Sequence, residues 1–167
     1  MTDREKQREE FIAMRTGMFL SCDKLKEHII GTYDRLKDIT QRDGVFQELD
    51  VWFDNSFPPA LEGDVCYSDI YGYHYGGYER GNKTEKVTED LFDVTYRVIE
   101  GRVWQMASAY ECKHRIPGQD SRLLMFQKEL EYMGAIGEEF QRKRETKVSR
   151  LLRTPTSPVS CDLPPEP

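Results

Sequence analysis

The spacing of apolar residues changes character along the chain. Phe11, Met14, Met18, Cys22, Leu25, Ile29, Leu36 and Ile39 fall mostly at three- and four-residue steps. That spacing predicts one face of a long amphipathic helix ending near Asp43-Gly44. Thr2 and Glu5 stand at its start in the spacing of a capping box. Gly17 and Gly31 each cost roughly 1 kcal/mol against alanine inside a helix, so either is a natural place for a bend or break. From Val45 the period shortens. Leu49, Val51 and Phe53 alternate with Glu48, Asp50 and Trp52, which predicts a half-buried strand stopped by Phe57-Pro58-Pro59. In the following VCYSDIYGYHYGGYERGNKTEKVT, an extended chain puts Tyr71, Tyr73 and Tyr75 on one face and Ile70, Gly72 and His74 on the other. Gly81-Asn82 suits a tight turn, with Lys83 to Val87 as the returning strand.

The longer period then returns. Thr88 is placed to cap a helix with Glu89 and Asp90 in its first turn, and Phe92, Tyr96, Ile99, Val103, Met106 and Tyr110 form its stripe. Leu91, Val94 and Val98 widen that stripe, which predicts a largely buried helix. Ile116-Pro117-Gly118 stops it, and Asp120 can cap the next helix, bearing Leu123, Leu124, Phe126, Leu130 and Met133. Gly134 and Gly137 mark a turn before a highly charged last helix with Phe140, Val148, Leu151 and Leu152. The expected class is α+β: a predominantly helical body of about four helices, with a small antiparallel β-sheet inserted after the first long helix. Residues 1–153 are expected to form a single globular domain. The stretch 154–167 holds five of the eight prolines and is expected to be a disordered tail.

Charge adds an asymmetry. The chain has 167 residues and a net charge of −6, which argues against a general nucleic-acid binder with its cationic footprint. Between Asp43 and Glu79 there is no Lys or Arg, but eight carboxylates: Asp43, Glu48, Asp50, Asp54, Glu62, Asp64, Asp69 and Glu79. Such a segment can steer a charged partner. No apolar run approaches the ~18 residues needed to cross a bilayer, and the N-terminal MTDREKQREE lacks the apolar stretch of a signal peptide. Cys22, Cys66, Cys112 and Cys161 are widely spaced without a C-x-x-C pair, which argues against a zinc knuckle and does not suggest a disulfide framework. A cytoplasmic protein is the expectation.

Candidate chemistry is sparse. Glu111-x-x-His114 has the spacing of ligands in di-iron bundles, but such sites need a second copy of the motif and further glutamates. No metal and no cofactor are expected. Glu111 instead faces His114 and Arg115 one helical turn on, in the order that helix pairs prefer. Cys112 and His114 lie two apart on a helix and point in different directions. No nucleophile elbow, phosphate loop or dinucleotide fingerprint is present, so no catalytic residue is assigned. The tyrosines at 71, 73 and 75 have two readings: the core face of the sheet, or a contact surface beside the acidic stretch. Trp104 reads as core. Arg122, just after Asp120, is placed to pair with Glu111 or Asp120 and brace the Pro-Gly corner.

From Tyr73 to about Lys128 the sequence also resembles a known family. Tyr73-His74-Tyr75, Glu79-Arg80-Gly81, Ile99-Glu100-Gly101, Met106-Ala107-Ser108, Tyr110-Glu111, His114-Arg115, Asp120 with Arg122, and Phe126 occur in its order and spacing. The family is Immunity protein 63, of bacterial polymorphic-toxin systems. Ser121 departs from it, standing where an aromatic precedes the Arg. The resemblance implies a small cytosolic protein, without catalysis, that binds a toxin and keeps its producer alive. On that reading the partner is a cognate toxin domain, a basic nuclease being one candidate, with no direct contact to nucleic acid or membrane. Contact candidates are Asp50, Trp52, Asp54, Asp64, Asp69, Tyr71, Tyr73 and Tyr75. Trp104, Tyr110, Glu111, His114, Arg115, Asp120 and Arg122 form the structural cluster. Two other readings stay open. One is a non-catalytic oligomerisation or adaptor protein, a homodimer through the N-terminal helix. The other is an enzyme using Glu111, His114 and Arg115 with His74.

Overall fold

The computed structural model describes residues 2–56 and 62–153. Its elements are α1 (Asp3–Arg15), α2 (Cys22–Tyr33), a 3-10 turn (Asp34–Leu36), α3 (Lys37–Arg42), β1 (Val51–Trp52), β2 (Gly63–Asp69), β3 (Gly72–Glu79), β4 (Asn82–Thr88), α4 (Leu91–Lys113), α5 (Ser121–Ile136) and α6 (Glu138–Leu151). The class is α+β, with more helical segments than expected. The Phe57-Pro58-Pro59 stop and the proline-rich tail lie outside the described residues. The chain divides into two compact units, Met1–Thr32 with Glu48–Ile99, and Tyr33–Gln47 with Glu100–Pro167.

In the first unit, α1 opens with the predicted capping box. Glu5 N donates to Thr2 Oγ1 at 3.3 Å and Thr2 N to Glu5 Oε2 at 2.6 Å. The expected long helix nevertheless ends at Arg15, and Gly17 takes a left-handed φ of 77°. Helix resumes at Cys22 and passes Gly31 unbroken. Leu25 and Ile29 of the predicted stripe are buried, whereas Met14 and Met18 are exposed.

The sheet has strand order β1-β2-β3-β4. It is mixed rather than purely antiparallel, because β1 runs parallel to β2. Side chains alternate between its faces. Cys66 and Tyr73 pack with Leu25, Ile29 and Val94 in one buried cluster, flanked by Leu49, Val51, Phe53 and Tyr75. The alternation at 49, 51 and 53 thus finds its core, although only Val51–Trp52 pair as a strand. Between β3 and β4 the loop is Arg80-Gly81, one residue earlier than predicted, with both residues at positive φ (51° and 77°). Those dihedral signs match the twist of a hairpin.

In the second unit, α3 ends at Asp43-Gly44 as expected, with Gly44 at φ 71°. Val103, Met106 and Ala107 of α4 are buried. Trp104 is not core: it is 46% exposed, because one step of ~100° carries it off the Val103–Met106 stripe. Asp120 caps α5, its Oδ1 accepting from Arg122 N at 3.0 Å. This helix runs through Gly134 and stops at Gly137, where α6 begins. Phe126, Tyr132, Met133, Ile136, Phe140 and Val148 form the apolar interior.

Two charged residues share that interior, Glu129 (1% exposed) and Arg144 (6%). Arg144 Nη2 and Nε donate to Glu129 Oε2 at 2.6 and 2.9 Å, and Nη1 donates to Glu100 Oε1 at 3.0 Å. Lys147 Nζ reaches the same Glu100 oxygen at 2.6 Å. Burial raises the Glu129 pKa and outweighs the opposing pull of Arg144.

Candidate functional site

The candidate contact residues lie in the acidic unit. The first unit contains 10 Lys and Arg against 17 Asp and Glu, and the second contains 14 against 13. The chain's whole excess of negative charge therefore belongs to the first. Of the eight carboxylates between 43 and 79, seven are exposed. The exception is Asp43, in the second unit, whose Oδ2 accepts from Lys128 Nζ at 2.9 Å and Tyr132 Oη at 2.8 Å. Burial alone would raise its pKa, but those bonds together hold it below the ordinary value.

Around β1 the backbone presents Asp50 and Trp52 outward, with Trp52 41% exposed. Asp54 organises the turn that follows. Its Oδ1 accepts from Ser56 N at 2.7 Å and Trp52 Nε1 at 2.6 Å, and also from the Ser56 hydroxyl. Ser56's hydrogen bonds, chiefly, keep that carboxyl below its usual pKa. A cleft of about 310 Å³ is lined by Val51, Trp52, Phe53 and Asp54 together with Cys22, Asp23 and Lys26. It offers an aromatic wall beside carboxylates, a surface chemistry that suits a cationic side chain.

The tyrosines do not share one face. Ile70-Tyr71 forms the β2–β3 turn, and Gly72 at φ 133° starts the next strand. Tyr71 is therefore 58% exposed at a hairpin tip, where Asp69 Oδ1 accepts from its backbone N at 2.8 Å. Tyr73 is 4% exposed, with its hydroxyl accepting from Leu20 N at 3.1 Å and its ring edge-on to Phe19. Tyr75 is half-buried and accepts from Arg97 Nη1 at 2.7 Å. Asp64 is exposed on β2, in register with Val51.

On the opposite sheet face lies a cluster that spacing alone does not reveal. His74 stacks on Tyr67 with centroids 4.5 Å apart. His74 Nε2 lies 2.8 Å from Asp69 Oδ1, within hydrogen-bond distance. Tyr67 Oη donates to Glu85 Oε1 at 2.5 Å, and the same oxygen is 3.4 Å from His74 Nδ1 and 3.3 Å from Lys83 Nζ. Burial first, then Glu85, pushes the Tyr67 phenol up. The cluster joins β2, β3 and β4 through side chains.

In the second unit the remaining candidates brace one another. Glu111, buried, accepts from Arg115 at 2.8 and 3.0 Å. His114 stacks on Tyr110 at 4.1 Å, and Lys128 Nζ sits 4.0 Å from the Tyr110 ring centroid. Arg122 pairs with Asp120 at 2.7 Å and also reaches Leu151 O at 3.4 Å. Among the described residues no group of three His, Cys, Asp or Glu is placed to hold a metal ion, and no helix is long and apolar enough to cross a membrane. Cys22 and Cys66 carry free thiols. Burial pushes the Cys66 thiol up to about 12, which makes it a packing residue.

No curated protein and no solved structure matches the chain. The family model for Immunity protein 63 matches residues 68–150. That segment contains Asp69, the tyrosines, the His74 cluster and the Glu129–Arg144 pair, while Asp50, Trp52, Asp54 and Asp64 precede it. By this match, which spans the motifs from Tyr73 to Lys128, the chain belongs to the Immunity protein 63 family.

Proposed function

We propose that the protein protects its producer by stoichiometric binding of a cognate toxin domain, through the acidic and aromatic surface of the first unit. Family membership supports the immunity role. One observation carries the choice of surface: the excess of carboxylates is confined to that unit, and exposed Asp50, Trp52, Asp54, Asp69 and Tyr71 are part of it. A basic toxin active site, such as that of a nuclease, is the complementary partner, and docking over it blocks the toxin without any bond being made or broken. Charge of one sign accelerates encounter with the opposite sign, and the exposed indole and phenol supply desolvated contact area. Protection of this kind takes place in the cytoplasm, with no nucleic acid or membrane touched directly. Tyr73 and Tyr75 act from the packed face, holding the hairpin that displays Tyr71.

Co-expression with the toxin domain encoded beside this gene tests the reading. Growth rescue together with a one-to-one complex on co-purification is expected. A toxic domain that the protein neither rescues nor binds would remove the proposal for that pair.

A further inference from the structure

Helix α1 is folded without a core. None of its 13 residues is buried. Phe11 and Ile12 are 38% and 37% exposed, Met14 is 72% exposed, and Met18 just beyond the helix is 59% exposed. A lone helix of this length is marginal in water. Here its first turn is closed by the Thr2–Glu5 box, and its last turn is pinned by Arg15. Arg15 Nε donates to Ile70 O at 2.6 Å, and Nη2 donates to Tyr71 O at 3.3 Å and to Glu89. The guanidinium also lies 5.4 Å from the Phe11 centroid and 5.2 Å from that of Phe19. Phe11 in turn approaches Tyr71, centroid to centroid, at 6.0 Å. The helix is thus fixed to the hairpin tip through Arg15 and Phe11, while Met14, and Met18 just beyond the helix, stand mostly in solvent. Beside it opens a cleft of about 230 Å³ lined by Arg15, Gly17, Phe19, Ser21, Asp69 and Ile70 among others.

We infer that the exposed apolar side of α1, together with Tyr71, is the apolar half of the toxin-binding surface, and that a basic toxin domain covers it. The inference rests on the binding function proposed above. Charge selects this occupant over a second copy. α1 itself is balanced, with Asp3, Glu5, Glu9 and Glu10 against Arg4, Lys6, Arg8 and Arg15. The rest of its unit has 13 acidic against 6 basic residues. Joining two copies through α1 would bring two such acidic bodies together, whereas a basic partner reverses the sign of that interaction. Methionines suit the task, since their flexible thioethers fill irregular partner surfaces. α1 also precedes the segment that matches the family model, residues 68–150, so its contacts can differ between partners without altering that segment.

The test compares wild-type protein with Met14→Asp and, separately, Met18→Asp, in the full chain. Affinity for the cognate toxin domain is measured beside the melting temperature. Roughly tenfold or weaker binding with unchanged melting is expected, because neither side chain is buried. Hydrogen exchange of the wild-type complex reads the same surface without a substitution, and protection of residues 3–15 is expected. Wild-type affinity in both variants, or no protection of α1, overturns the inference while leaving toxin binding intact. A wild-type dimer that Met14→Asp disperses assigns the face to a second copy, and also overturns it. If the wild-type protein binds no toxin domain, the binding function itself fails, which is a separate and distinguishable result.

Discussion

The two units use charged residues in opposite ways. In the second, acids and bases are nearly equal in number, and the central ones are turned inward: Glu129 and Arg144 meet inside the helical core, with Glu100 and Lys147 at its margin. In the first, some pairs also form, such as Arg15 with Glu89 and Arg97 with Asp93. Yet seven carboxylates from Glu48 to Glu79 stand exposed, on a stretch that contains no Lys or Arg. Buried pairs fix how helices pack and are unavailable to a partner. Exposed charge of a single sign contributes little to folding but acts at a distance on whatever approaches. One unit spends its charges on architecture; the other leaves them available for recognition.

Removing an inward charge should do most damage. Arg144→Ala leaves the buried Glu129 carboxyl without its guanidinium partner, and should destabilise the protein by about 3–5 kcal/mol, seen as a lower melting temperature. The double substitution Glu129→Leu with Arg144→Met should recover most of that loss, because matched apolar groups can replace a buried pair. A backbone contact in the first unit comes next. A Cβ on Gly76 would lie 1.8 Å from the Thr84 carbonyl oxygen across the β3–β4 pair. Gly76→Ala should therefore cost about 2–3 kcal/mol and lower the denaturant midpoint.

A pH titration separates the units further. The folded-state pKa of Asp43 lies below its unfolded value, so its bonds to Lys128 and Tyr132 contribute stability above about pH 4. That contribution is lost as pH falls through the folded value. Asp43→Asn should flatten the acid limb of the stability curve in that window, at a cost of roughly 1–2 kcal/mol at neutral pH. Trp52→Ala should have the smallest effect on folding, about 1 kcal/mol for the lost hydrogen bond to Asp54, while weakening the toxin complex. A large loss of stability with unchanged binding would instead make Trp52 a packing residue.

Local signals in the sequence translate well. The Thr2–Glu5 box, the break offered by Gly17, the Asp120 cap and the Asp43-Gly44 stop each depend on a few neighbouring residues, and each is found. Longer-range features are less legible. Alternation predicts one face for Tyr71, Tyr73 and Tyr75, but a two-residue turn at Ile70-Tyr71 removes Tyr71 from the strand. Trp104 reads as core by size, yet falls one step off a buried stripe. The Glu129–Arg144 pair joins residues on successive helices, so no local rule specifies it. A trace was present: Arg144 stands four residues from both Phe140 and Val148, and Glu129 three after Phe126. One charge of each sign thus occupies an apolar position in adjacent helices. The Tyr67–His74–Glu85 contact likewise required the register of three strands.

The most direct test of recognition by the acidic unit is the rate of association with the cognate toxin domain as salt is raised. For wild-type protein the rate should fall by roughly tenfold or more between low and high salt, as expected when opposite charges steer encounter. The Glu48→Gln, Asp50→Asn variant should associate more slowly at low salt and show a shallower dependence, with its melting temperature unchanged. A wild-type rate that is fast and indifferent to salt would contradict recognition through this charge.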